Sequence, residues 1–230
     1  MPAAPFSTPD CWVDPAALLQ LDTQGYLLLR HAVPTDWIVR LRAAFDAGVL
    51  ASDQWPVPRQ MDWCHAQVDL DPYVQRVCRL PALIDAVRHR LKAPFFLSQV
   101  EGRAPRQGNM PQPLHRDGVG HDGQLMAAMV WLDRYGPDNG ATQLVPGSHR
   151  LDASETVAPQ ILTGEAGDVL LFDPDLLHGA TSNASGASRR SLLLSYAVAA
   201  LQAQHRESEA IRGVRMDTRE IFGGDDRLPG

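Results

Sequence analysis

The sequence predicts a mainly β fold, an antiparallel barrel or sandwich with helices outside it, and three observations carry that prediction. After Pro94, short apolar or alternating runs recur at Phe95 to Val100, Leu125 to Leu132, Ala141 to Val145, Val169 to Phe172 and Ser191 to Val198. Gly, Pro, Asn and Asp turns separate them. Helical periodicity is concentrated before Pro94, so strands and helices are segregated along the chain rather than alternating.

Taken in order, residues 1 to 17 are Pro- and Ala-rich without a sustained period and read as an irregular lead-in. Tyr26 to Arg30 reads as a short strand. Pro34-Thr35-Asp36 is a helix start, followed by Trp37, Leu41 and Phe45 at four-residue spacing. A second helix begins near Pro81 and puts Leu83, Val87 and Leu91 on one face, for packing against the sheet. The strand runs follow. Residues 201 to 230 form a charged, mildly helical C-terminal tail that finishes in Gly-Gly-Asp-Asp-Arg. One domain, 1 to 230, accommodates all of this, and the chain has no internal repeat and no phosphate-cradling glycine loop.

A net charge of −6 argues against a nucleic-acid or anionic-membrane partner, either of which selects a basic surface. Cys11, Cys64 and Cys78 form no CxxC pair, which suits a reducing compartment. The first residues carry neither a basic nor an apolar leader pattern, and the longest apolar stretch, around Leu192 to Leu201, is too short to span a bilayer. The expectation is a cytoplasmic protein of unspecified oligomeric state.

The chemistry concentrates in His115, Asp117 and His178, with Arg189 eleven residues further on. A His-x-Asp triplet alone is weak, because eight His and 21 Asp in 230 residues give roughly 0.7 by chance. The context separates this one from His205-Arg206-Glu207: only the first is followed by a distal His. Residues two apart on an extended segment face one side, so His115 and Asp117 point together while Arg116 points away. His178 follows the strand Asp168 to Phe172 and the turn Asp173-Pro174-Asp175, which returns the chain beside them. Two imidazoles and a carboxylate on one face leave positions open for a chelating acid and dioxygen, as in non-heme Fe(II) oxygenases. Arg189 supplies a fork for the far carboxylate of a diacid. Ser191 shares its strand face, and Arg190 points the other way.

Four stretches resemble the phytanoyl-CoA dioxygenase family of Fe(II)- and 2-oxoglutarate-dependent oxygenases: LDTQGYLLLRHAVPTDWIVRLRAAFD (21 to 46), PLHRD (113 to 117), WLDRYGPDNGATQLVPGSHR (131 to 150) and GDVLLFDPDLLHGATSNASGASRRSLLLSY (167 to 196). The resemblance covers most of residues 20 to 199. It implies a double-stranded β-helix (jelly-roll, cupin-like) core with flanking helices, iron on His115, Asp117 and His178, and the C5 carboxylate of 2-oxoglutarate on Arg189. It further implies that Gln99, Thr142 and Trp131 belong to the cofactor or substrate pocket. The implied reaction consumes O2 and 2-oxoglutarate, releases succinate and CO2, and oxidises a substrate C–H. Asp117 stands where related halogenases carry a small residue, which implies hydroxylation or another oxygenase outcome.

One departure stands out: only 28 residues separate His149 from His178, fewer than many members have there. The site is accordingly more open, or covered by the tail or a partner, and substrate identity does not transfer. Arg103, Arg106 and Asn109 read as a loop leading to the metal strand, either simply solvated or recognising a polar or anionic substrate, and His121 as a solvated loop His or one that reaches substrate. His149 reads as structural, and His31, His65, His89 and His205 as surface or core residues. The competing readings are a non-catalytic barrel that keeps the metal and 2-oxoglutarate pocket, and a metal hydrolase, for which Arg189 has no role.

Overall fold

A computed structural model describes residues 13–118, 120–150 and 157–223. Its elements in chain order are α1 (Pro15–Gln24), β1 (Tyr26–Leu29), α2 (Thr35–Gly48), β2 (Val49–Leu50), β3 (Trp63–Ala66), α3 (Pro72–Val77), α4 (Pro81–Leu91) and β4 (Phe95–Pro105). Then come β5 (Gln112–His115), β6 (Leu125–Trp131), β7 (Thr142–Leu144), β8 (Gln160–Ile161), β9 (Val169–Phe172), β10 (His178–Ala180), β11 (Ser191–Val198), α5 (Gln202–Glu207) and α6 (Glu209–Arg212). Two antiparallel sheets result, a larger one in the order β1-β9-β6-β11-β4-β3-β2 and a smaller one in the order β5-β10-β7-β8.

The alternation along the strands decides what each sheet face does. On β11, Leu192, Leu194 and Tyr196 join the core cluster formed with Leu41 and Phe45 of α2 and Leu83, Val87 and Leu91 of α4. Ser191, Leu193 and Ser195 turn the other way, toward the smaller sheet, and line a cavity. Neighbouring strands keep the same phase, since Ser191 pairs with Arg103 and Trp131, Leu193 with Glu101 and Met129, and Ser195 with Gln99 and Ala127. A bulge between Ser195 and Tyr196 leaves Ser98 without a register partner. Truncating a fully buried helix residue such as Leu41 removes apolar packing that costs about 2–5 kcal/mol to lose.

The helices start where their caps dictate. Asp14 accepts from the Ala16 amide at 2.7 Å, Pro15 supplies a preset φ, and Gly25 ends α1 in the left-handed region at φ 77°. Pro81 opens α4, and Arg88, His89 and Arg90 occupy its last turn, where cations meet the negative end of the helix dipole. Among the described residues no helix is long and apolar enough to cross a membrane.

Two expectations change at the ends. The lead-in is helical from Pro15 onward, and residues 1–12, with Cys11, lie outside the described residues. The C-terminal segment, expected as a charged tail, is built into the fold as far as residue 223. Asp69 is buried and accepts from the backbone of Arg215 and Met216 and from the Arg215 guanidinium at 2.5–3.0 Å. Phe222 exchanges both backbone hydrogen bonds with Phe95, their rings 5.4 Å apart. Residues 224–230 lie outside the described residues.

Candidate metal centre and its cavity

His115 ends β5 and His178 begins β10, and the two strands pair with these residues opposite each other. Asp117 lies two residues beyond His115, just past the end of β5, and is fixed through the backbone: the amides of Asp117 and Gly118 both donate to Pro174 O, at 2.8 and 3.1 Å. Pro174 itself sits in a tight turn, where Asp173 Oδ1 accepts from Asp175 N and Asp173 O from Leu176 N, both at 2.9 Å. Arg116, pointing away from the centre, donates to Ser148 O and Asp175 O and ties the same turn from behind.

The resulting geometry is convergent. Asp117 lies 3.4 Å from His115 Nε2 and 3.5 Å from His178 Nε2, and the ring centroids are 4.4 Å apart. One ligand atom from each residue falls within 4.8 Å of the others. Each imidazole is oriented from behind, His115 Nδ1 on Pro113 O at 2.9 Å and His178 Nδ1 on Leu176 O at 2.8 Å. A carbonyl only accepts, so Nδ1 carries the proton in both rings and Nε2 presents a lone pair to the carboxylate. Two lone pairs and a carboxylate facing one point call for a cation or a proton between them. The electrostatics agree: the hydrogen bond with Asp117 raises the His115 pKa, and the hydrogen bonds from His115 and then His178 hold the Asp117 carboxyl well below its usual range. The donor set fits a divalent first-row metal with open positions.

From the triad a cavity of about 250 Å³ runs to Arg189. That guanidinium is only 2% exposed, yet no carboxylate lies within ion-pairing distance among the described residues. Its Nη2 donates to Thr142 Oγ1 at 3.4 Å, its Nε has no partner, and the Tyr135 ring lies beneath it at 4.4 Å. Burial lowers its pKa. A buried cation without a counter-ion is costly, and an incoming carboxylate relieves that cost.

The structure brings most of the sequence-derived candidates to this cavity. Gln99, Arg103, Thr142 and Ser191 line it along with the triad and Arg189. The Ser191 hydroxyl donates to Arg103 O at 2.9 Å, so it faces the cavity as an acceptor. Four placements differ from expectation. Trp131 is fully buried, stacked on Tyr135 at 4.1 Å, and contributes core rather than cavity wall. Arg103 lies on β4 and not on a loop, because Gly102 lets that strand pass Phe45 and Ala66, which a Cβ would meet at 2.7–2.8 Å. Its guanidinium is paired with the Glu101 carboxylate and is not free for substrate. His121 sits in the turn before β6, away from the cavity wall, while Asn109 is buried and accepts from Asn183 N at 2.8 Å. Arg190 forms ion pairs with Asp133 and Asp46 on the outside.

Sequence reasoning missed Glu101, Trp63 and Arg212. Glu101 is buried in the cavity wall; burial pushes its carboxyl up, but Arg103 and Arg59 outweigh this and hold it below its ordinary value. The period-two series Gln99, Glu101, Arg103 was the available signal.

A model of the phytanoyl-CoA dioxygenase family (PhyH) matches residues 21–191. L-Proline trans-4-hydroxylase of Streptomyces griseoviridis is 25% identical over 233 aligned residues, covering 78% of this chain and 85% of that protein. Dioxygenase cdmA of Talaromyces verruculosus is 38% identical over 101 residues, which is 38% of this chain and 34% of that protein. Among solved structures, HygX from Streptomyces hygroscopicus, with nickel, 2-oxoglutarate and hygromycin B bound, superposes with a TM-score of 0.67 at 17% identity, covering 81% of this chain and 88% of that one. That likeness gives the fold, a double-stranded β-helix.

Proposed function

The chain belongs to the phytanoyl-CoA dioxygenase family and is a non-heme iron, 2-oxoglutarate-dependent dioxygenase, and from that premise we propose that it hydroxylates an unactivated C–H of a small polar or anionic molecule. In this reading His115, Asp117 and His178 hold Fe(II), and Arg189 with Thr142 and Ser191 receives the distal carboxylate of 2-oxoglutarate. Fe(II) bound by these residues would supply the chemistry that couples oxidative decarboxylation of 2-oxoglutarate by O2 to substrate hydroxylation, with one oxygen atom in succinate, the other in product, and CO2 released.

The observation that carries the reading is a complementary pair of features in one cavity: acceptor atoms converge at one end, and at the other stands a buried guanidinium without a carboxylate partner among the described residues. The protein's own work is to hold both imidazoles in one tautomer, to anchor the co-substrate's far end, and to line part of the intervening wall with Met129, Leu193 and Phe172. A reducing, cytoplasmic setting is part of the same proposal; among the described residues Cys64 and Cys78 are free thiols.

The test is an anaerobic titration of Fe(II)-loaded protein with 2-oxoglutarate, followed by the visible metal-to-ligand charge-transfer band. A band that saturates in the wild type and needs far more 2-oxoglutarate in Arg189→Ala supports the assignment. Iron-loaded, folded protein that gives no band overturns it.

A further inference from the structure

The C-terminal segment closes one side of a second chamber, of about 340 Å³, next to the metal centre. Asp117, Gln99, Phe172, Leu193 and Ser195 belong to the walls of both spaces, so the triad stands where they meet. One side of the second chamber is apolar, from Leu125, Met126 and Ala127. The other is polar and comes from α5 and α6, which bring His205 and Arg212 to it.

Arg212 is half-buried and held by neutral oxygens. Nη1 donates to Ser98 O at 3.1 Å and Gln99 Oε1 at 3.0 Å, Nη2 to His205 O at 2.9 Å, and Nε to Ser208 Oγ at 3.1 Å. Four of five N–H groups are thus engaged, leaving one on Nη2. Nearby arginines have carboxylate partners: Arg59 and Arg103 share Glu101, and Arg215 pairs with Asp69. Arg212 has no carboxylate within ion-pairing distance among the described residues; Glu209, the acid whose field reaches it, accepts from Thr218 Oγ1. Its position is fixed as well, because Arg59 Nη2 donates to Arg212 O at 3.3 Å while pairing with Glu101. Each chamber therefore holds one guanidinium without a carboxylate partner, Arg189 in the first and Arg212 in the second.

We propose that Arg212 is the specificity-determining residue for substrate and selects a small carboxylic acid. The apolar part of that acid lies along Met126, Ala127 and Leu193, its carboxylate meets Arg212, and the carbon to be oxidised faces Asp117. The proposal rests on the oxygenase reading above and adds to it the charge of the substrate and the element that reads it. The C-terminal helices thereby supply one wall of the substrate chamber.

The test compares binding of matched pairs, each a small cyclic or aliphatic carboxylic acid or amino acid and its carboxamide, to Ni(II)-loaded protein saturated with 2-oxoglutarate, by ligand-observed NMR and calorimetry. Wild type binds acids of the set and discriminates against their carboxamides. Arg212→Gln abolishes that discrimination, with about a tenfold or greater loss for acids and little change for carboxamides. Arg212→Lys keeps the preference at reduced affinity. The proposal is overturned if no acid in the set binds wild type more tightly than its carboxamide. It is also overturned if Arg212→Gln weakens acids and carboxamides alike, which marks a purely structural arginine. The 2-oxoglutarate titration is read separately: if wild type fails to bind it, the oxygenase reading itself fails.

Discussion

His178 and His115 stand in register across β10 and β5, and each turns its Nδ1 onto a carbonyl two residues earlier in its own chain. The ligating nitrogens are therefore aimed by backbone, before any metal arrives. Outer partners of this kind change metal affinity by about 10–100-fold, and loss of a ligand costs at least the upper end of that range. Asp117→Asn is expected to weaken Ni(II) binding accordingly, measured by calorimetry, with the far-ultraviolet circular dichroism unchanged.

The same geometry sets a pH dependence. Asp117 raises the pKa of His115, so the metal-free centre keeps a proton on that imidazole to higher pH than a free histidine does. Metal entry must displace it. Ni(II) affinity is expected to fall by about tenfold per pH unit once the pH drops below that raised pKa. In Asp117→Asn the break moves toward lower pH, because the hydrogen bond that raises the pKa is weakened. A break at the same pH in both proteins would remove Asp117 as its cause.

Gly179, between His178 and Ala180, is required by close strand approach rather than by its φ. A Cβ there would lie 2.5 Å from Gln112 O and 2.9 Å from Pro113 O, both backbone atoms of β5. Gly179→Ala must push β10 away from β5 and carry His178 from His115. Metal affinity is expected to fall by about tenfold or more, since ligand placement is decided at the ångström scale, while the larger sheet stays folded. Calorimetry with Ni(II) alongside thermal unfolding separates the two effects.

Arg189 offers a case in which stability and function move apart. Its guanidinium is buried without an anion among the described residues, and Arg189→Met replaces it with an apolar chain beside Tyr135 and Trp63. Removing an uncompensated buried charge is neutral or stabilising. The variant's melting temperature without ligand is expected to match or exceed that of the wild type, whereas the 2-oxoglutarate KM rises by about a hundredfold as a charge-assisted fork is lost. A lower melting temperature together with an unchanged KM would contradict both halves.

Much of the centre was legible because chemistry and alternation coincide. Strands β9 and β11 have the bounds their apolar runs suggest, and the spacing of His115 and Asp117 predicted a shared direction. β4 was cut short at Val100 because Gly102 and Pro105 look like turn residues, although Gly102 serves close packing against Phe45. That error moved Arg103 onto a loop and hid Glu101, its partner. The C-terminal segment was hidden by its charge: Arg215 and Arg219 look like solvated tail residues, but Arg215 satisfies the buried Asp69, a contact across 146 positions that no local pattern signals. That Arg212 has no ion-pair partner among the described residues is likewise a property of the folded arrangement only.

His65 gives the clearest link between burial and acid stability. It is 8% exposed, both ring nitrogens lack a hydrogen-bond partner among the described residues, and burial, reinforced by Arg103, lowers its pKa to about 4 against the opposing pull of Glu101. The unfolded chain protonates this imidazole near pH 6.5, while the fold resists until about pH 4. The contribution of neutral His65 is therefore fully present above the unfolded value and is lost as the pH falls between the two, with a slope of up to about 1.4 kcal/mol per unit. His65→Leu has no proton to take up, and its packing against Trp55 stays apolar. Urea midpoints at about pH 7 and about pH 5 should fall less in the variant than in the wild type. Equal falls would assign the acid sensitivity to other groups, because the only ionisation the substitution removes is that of His65.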